Sequence, residues 1–306
     1  SLRSGDPTAV SNHLTTDNVA VIQLNLNHPD PGRRDLFRNK NFRIAISHAI
    51  NREEIVDVVF YGAAEPWQAA PREGAFYNQQ LAKQYLDFDL KKANALLDSI
   101  GLTQRDSAGF RLGPDKKRLT LSFEVDAAAK TISDSIELVN RSLAQVGIEG
   151  VLRASDRALW EQRVRQGDNF DVAVHSFGGG DGLAVVFDPR YYFPHSQNSM
   201  FAKKWASWFQ NPNAPSAEDP PAAARKQMDL YKELSATADP AKQSSLMHEI
   251  LKIAADEFYV IGIAVQGDGY GVVTNRLKNT PKSMPNSYVF PHPGPFSPEQ
   301  FYIGRN

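Results

Sequence analysis

The stretch from Arg118 to Phe177 constrains this chain more than any other. RLTLSFEV alternates as a strand, and Ile132, Ile136, Val139, Leu143 and Val146 then recur at helical spacing until Gly147. IEGVLRA follows as a second strand, a helix carrying Leu159, Trp160 and Val164 runs from Asp156 to Gly167, and FDVAVHSF closes the series as an apolar strand. Strand, helix, strand, helix, strand folds as α/β: neighbouring strands are joined by right-handed crossovers, helices cover the sheet faces, and the loops at the carboxyl ends of the strands are left free for ligands. The loop after FDVAVHSF is therefore the expected binding rim.

The flanks extend this pattern. VAVIQLNLN, from Val19, reads as a buried strand that needs partners from elsewhere, and its abrupt start implies that sequence on its amino-terminal side is missing. Phe42, Ala45, Ile46 and Ala49 share one helix face, and Asn51 caps the next helix, with Glu54 at the capping-box position and an end at Gly62. Residues 63–88 read as an irregular surface excursion. Asp89 opens a helix that turns Leu90, Ala93, Leu96, Leu97 and Ile100 inward and stops at Gly101. Residues 210–224, with NPNAPSAEDPPAAA, form a tether. Asp239 and Pro240 start a helix that buries Leu246, Ile250, Ile253 and Ala254, FYVIGIAV is a buried strand, and the tail from Gly271 has little regular structure. In AKKWASWF, a helical aromatic pair such as Trp205 and Trp208 places one of the two in the core.

Charge and motifs exclude much. Lys plus Arg (34) nearly cancels Asp plus Glu (35), so there is no global field to attract nucleic acid or an anionic membrane. Cysteine is absent, which removes thiolate nucleophiles and cysteine metal sites. The seven histidines lack the i,i+3 or i,i+4 pairing of a helical metal site, and no hydrolase or nucleotide-binding signature is present. We expect no cofactor, no metal and no catalysis; an α/β hydrolase built from distant Asp and His residues is the alternative from another class.

The chemistry concentrates in FGGGDGLAVVFDPRYYFP. Gly178, Gly179 and Gly180 let a ligand approach the backbone, and Asp181 offers a carboxylate to an ammonium group; a plain glycine turn with a solvated Asp is the equal alternative. Phe177 ends the strand at the same rim. Arg190, Tyr191 and Tyr192 mix charge with phenols in a recognition-like palette, although Asp188 and Arg190 flanking Pro189 can equally brace the loop.

Across residues 19–306 the chain resembles the C-terminal part of the family 5 extracellular solute-binding proteins, the dipeptide, oligopeptide and nickel receptors of ABC importers. The resemblance rests on an ordered series: VIQLNLN, FRIAISHAINREEIVDVVFYGAAEPWQAAPREGAFYN, KKANALLDSIG, IELVNRSLAQVGIEG, the strand ending in FGGGDG, and MHEILKIAADEFYVIGI. It implies a type II periplasmic-binding architecture, α/β with a mixed sheet flanked by helices. Residues 1–18 would lead in from the N-terminal lobe, 19–265 form the C-terminal ligand-binding lobe, and 266–306 return toward the first lobe. It further implies a monomeric, periplasmic or membrane-tethered extracellular receptor that hands a peptide-like solute to a membrane permease. In such receptors an Asp shortly after the equivalent strand holds the peptide α-ammonium, and Asp181 matches that position. Phe177 stands where the family usually has a Trp-containing loop, which keeps oligosaccharides and opines open as ligand classes.

Overall fold

The computed structural model describes residues 8–15, 18–72, 74–177, 182–267, 269–286 and 297–304. Its strands in chain order are β1 (Thr8–Thr15), β2 (Asn18–Leu24), β3 (Ala64–Pro66), β4 (Thr120–Asp126), β5 (Glu149–Ser155), β6 (Val172–Phe177), β7 (Ile261–Gly262), β8 (Ala264–Gln266), β9 (Gly269–Thr274), β10 (Leu277–Lys278), β11 (Ser283–Asn286) and β12 (Tyr302–Ile303). Among the described residues a seven-stranded sheet has the order β3-β8-β2-β6-β4-β5, with β7 also paired to β2. β5, β4 and β6 run parallel, and β2 lies antiparallel to β6, so the sheet is mixed. The α/β reading holds for this sheet.

Helices cover it: α1 (Pro31–Arg38), α2 (Lys40–His48), α3 (Arg52–Phe60), α4 (Gln79–Lys83), α5 (Leu90–Ser99), α6 (Lys130–Ala144), α7 (Arg157–Trp160), α8 (Gly182–Phe187), α9 (Lys203–Gln210), α10 (Ala222–Ala236) and α11 (Pro240–Glu257). Polar residues cap the helix starts, among them Asn51, Asp89, Asp156 and Asp239 expected from the sequence. Asn39, Asn51, Asp89, Asp156 and Asp239 each accept a hydrogen bond from a backbone N–H of the first turn. α6 buries Ile132, Ile136, Val139 and Leu143, each worth about 1.5–3 kcal/mol when fully buried. Gly101 and Gly147 take the left-handed φ values (86° and 80°) that end α5 and α6. Trp205 is core and Trp208 is only partly covered.

Four features depart from the sequence reading. α3 ends at Phe60, one residue early, because Tyr61 itself takes φ 52° ahead of Gly62. The excursion at 63–88 contributes β3 to the sheet edge and a short helix, α4. FYVIGIAV is broken into β7 and β8 at Ile263. The tail is more regular than its composition suggested: β9 and β11 flank β1 in a three-stranded sheet, and β10 pairs with β12.

Two buried arginines tie the return segment to the α2–α3 pair. Arg43 donates to the carbonyls of Phe258 (2.8 Å), Glu257 (2.9 Å) and Phe37 (2.7 Å). Arg52 donates to the carbonyls of Gly262 (2.9 and 3.1 Å) and Ser47 (2.9 Å) and to the Ser47 hydroxyl (2.8 Å). Burial lowers them to about 10 and about 9, so both stay protonated at neutral pH.

Candidate functional site at the carboxyl edge of the sheet

The three parallel strands end together at Asp126, Ser155 and Phe177. Asn18, the first residue of β2, pairs with both Phe177 and Val265. The links from β1 to β2 and from β8 to β9 therefore leave the large sheet at the edge where β6 ends. One edge collects the strand ends and both passages to the second sheet.

Residues 178–181 lie outside the described residues, and with them Gly179, Gly180 and Asp181. Phe177 is placed by its backbone, as the last residue of β6. Beyond α8 the chain turns at Pro189, where Arg190 Nε meets Asp188 Oδ1 at 2.7 Å and the Arg190 Nη2 contacts the other carboxylate oxygen. Of the two readings of this couple, the geometry is that of the brace. Tyr191 (3% exposed) and Tyr192 (1% exposed) put their rings in the core, so they hold the loop from beneath rather than present phenols to solvent. Tyr191 Oη donates to the Ser176 carbonyl at 2.9 Å, fastening the loop to the end of β6, and the Tyr192 carbonyl accepts from Gln227 at 3.0 Å. Burial raises the Tyr192 phenol well above its usual value.

The edge also holds a cluster that the motif search missed. Arg157 Nη1 lies 3.3 Å from Asp126 Oδ2 and 3.4 Å from His175 Nε2, its Nη2 lies 2.6 Å from Glu161, and its guanidinium sits 4.8 Å over Trp160. His175 Nδ1 is 2.9 Å from the Ser176 carbonyl, so that nitrogen carries the proton and Nε2 is left as an acceptor. Burial lowers the His175 pKa, and Arg157, Arg165 and Arg190 add to this against the Ser176 carbonyl. The imidazole is neutral. Ser155 Oγ is buried without a hydrogen-bond partner. Strand alternation was the available signal: Glu124 and Asp126, Arg153 and Ser155, and Ala173 and His175 share one face at two-residue steps.

The edge is already balanced in charge. Asp126 is held by Arg157, Glu161 by Arg157 and Arg165, and Asp188 by Arg190, while Asp156 caps α7. Among the described residues no group of three or more His, Asp or Glu side chains is arranged to hold a metal, and no helix is long and apolar enough to cross a membrane.

Known proteins resemble this chain in sequence and in fold. The periplasmic alpha-galactoside-binding protein of Rhizobium meliloti (strain 1021) is 22% identical over 263 residues, covering 82% of this chain and 36% of that protein. The oligopeptide-binding protein AppA of Bacillus subtilis (strain 168) is 24% identical over 229 residues, 74% of this chain and 39% of its own. Among solved structures, the oligopeptide-binding protein OppA superposes with a TM-score of 0.80 at 28% identity, over 97% of this chain and 49% of that one. The chain thus spans half or less of the length of these relatives, and its fold is the type II periplasmic-binding architecture. Residues 5–199, well over half of the chain, match the model of the bacterial extracellular solute-binding proteins, family 5 Middle, and the chain belongs to that family.

Proposed function

We propose that this chain supplies most of the ligand-binding lobe of a non-catalytic receptor that captures a small solute for an ABC importer outside the cytoplasmic membrane. Residues 19–265 form that lobe, while 1–18 and 266–306 join its companion, in keeping with a second sheet built from β1, β9 and β11. The observation that carries the reading is the meeting of three strand ends and both inter-sheet passages at one edge. Closure of a companion lobe over that edge would bury a solute from both sides, and the two passages would act as its hinge.

Asp181 is the proposed anchor for a ligand ammonium. Asp126, Glu161 and Asp188 are already paired with arginines, which leaves Asp181 as the carboxylate best placed by sequence to meet a cationic group. On this reading the solute is a peptide or peptide-like molecule with a free amino terminus, as the names of the AppA and OppA relatives suggest. Gly179 and Gly180 admit its backbone, Phe177 supplies apolar surface, and Arg190, Tyr191 and Tyr192 fix the loop.

An internally neutralised rim with a neutral imidazole favours a second reading, an uncharged polyhydroxylated solute, in line with the alpha-galactoside-binding relative. Isothermal titration of Asp181→Asn separates the two. Loss of the counter-ion should cost a peptide ligand about 2–5 kcal/mol of binding while stability changes by less than about 0.5 kcal/mol. Unchanged peptide affinity removes the anchor role.

A further inference from the structure

At the opposite end of the large sheet lies a cavity of about 330 Å³, lined by Leu26, Arg38, Arg43, Trp205, Asp219, Pro220, Pro221, Glu257 and Tyr259. Leu26 follows the end of β2, and Leu24 pairs with Val172, the first residue of β6, so this cavity is separated from the capture edge by the length of the strands. Part of its wall is built and neutral. Arg38 pairs with Glu218, donates to the Leu26 carbonyl at 2.6 Å and packs 5.0 Å over Trp205. Trp205 Nε1 reaches the same Glu218 at 3.4 Å, which pins the proline-rich tether across the wall, and Arg225 pairs with Asp219.

Two opposite charges in the wall, Arg43 and Glu257, attract each other without forming an ion pair in contact. Arg43 is 2% exposed, yet its three hydrogen bonds go to backbone carbonyls and no carboxylate lies within 4.0 Å of it among the described residues. Glu257 has no cation within that distance either. A buried guanidinium without a carboxylate in contact is costly, and three of its five N–H groups are used, leaving two for an acceptor. The remaining lining, Trp205, Pro220, Pro221, Leu26 and Tyr259, is apolar or aromatic, and the volume falls in the range of small-molecule sites.

We propose that this cavity is a second binding site, for a zwitterion of the apolar α-amino acid class. The ligand carboxylate takes the free N–H groups of Arg43, its ammonium takes Glu257, and its side chain lies against Trp205 and the two prolines. Each half of the ligand gives one of these two charges the direct ionic contact that they do not make with each other, so neither an anion nor a cation alone satisfies both.

The test is titration of the protein, followed by indole fluorescence, with L-leucine and L-phenylalanine, and with N-acetyl-L-leucine and L-leucinamide as single-charge controls. Saturable binding of at least one free amino acid, about tenfold or more tighter than either control, is expected. Because Arg43 also ties the fold together, Glu257→Gln is the variant of choice. It should weaken amino-acid binding by about tenfold or more, leave N-acetyl-L-leucine unchanged, and leave capture of the transported solute at the other edge unchanged. No saturable response to either amino acid, equal affinity for the controls, or an amino-acid affinity that survives Glu257→Gln overturns the proposal. A response that is lost in Asp181→Asn but kept in Glu257→Gln assigns the amino acid to the capture edge and overturns it as well.

Discussion

Arg52 offers a direct test of how the return segment is held. Its side chain is 1% exposed and, among the described residues, no carboxylate lies within salt-bridge distance and its hydrogen bonds go to neutral acceptors: the Gly262 carbonyl twice, the Ser47 carbonyl and hydroxyl, and the Leu86 carbonyl at 3.3 Å. Arg52→Met keeps most of the volume and relieves the desolvated charge, but leaves the Gly262 and Leu86 carbonyls without their donor, while the Ser47 carbonyl and hydroxyl keep Ile50 N–H and Gln68 Nε2. A buried acceptor left dry costs about 1–3 kcal/mol, and relief of the charge returns part of the sum, so a net loss of about 3–5 kcal/mol is expected. At about 2.1 cal/mol/K per residue of unfolding entropy, that lowers the melting temperature by roughly 5–8 °C. Arg52→Lys is the sharper variant, because it keeps the charge and loses the planar fork that reaches Ser47 and Gly262 together. Urea unfolding of the three proteins should rank both variants well below the native one, with Lys no better than Met. A Lys variant within about 0.5 kcal/mol of native would refute the fork argument and assign the role to charge alone.

Gly262→Ala should destabilise by about 1–3 kcal/mol in the same urea assay, because a Cβ there would lie 2.4–2.6 Å from backbone atoms of Gln68 and Ala69, which cannot swing aside. Asp171 sets an acid limit: burial pushes its carboxyl up, but the His28 hydrogen bond, Arg33 at 2.8 Å and the Ser122 N–H at 3.0 Å hold it below the ordinary carboxylate range. A folded-state pKa below the unfolded one stabilises above about pH 4 and is lost as pH falls through the folded value. Asp171→Asn should therefore flatten the acid side of the stability profile, measured by urea midpoints from neutral pH to pH 3, and an unchanged acid slope would contradict this.

What was legible in the sequence was local. Asn51, Asp89 and Asp239 announce their helices because an N-cap needs only its own first turn, and the stripe from Ile132 to Leu143 needs only helical periodicity. The strands β1 and β11 were not legible. Asn12 pairs with Ser283 and Thr8 with Thr274, partners far along the chain, and short polar strands such as TAVSNHLT carry little alternation of their own. The break in FYVIGIAV was hidden because Ile263 donates its N–H to Ala20 but its carbonyl accepts from Trp67, partners far along the chain. At the candidate site, the strand end at Phe177 was readable, but the cluster of Asp126, Arg157 and His175 comes from two strands and a helix start that only the sheet order brings together. The phenols of Tyr191 and Tyr192 looked like recognition groups for their chemistry, and burial alone decides that they support the loop.

The central claim is capture without conversion at the carboxyl edge. Native mass spectrometry of the full-length protein, offered a mixture of free-amino peptides, their N-acetylated forms and α-galactosides, tests it most directly. The account predicts a one-to-one complex with a single solute class, released at its original mass, with free-amino peptides retained and their acetylated forms excluded. Retention of α-galactosides instead would transfer the rim to the uncharged reading. Retention of nothing, or release of cleavage products only, would contradict the receptor itself.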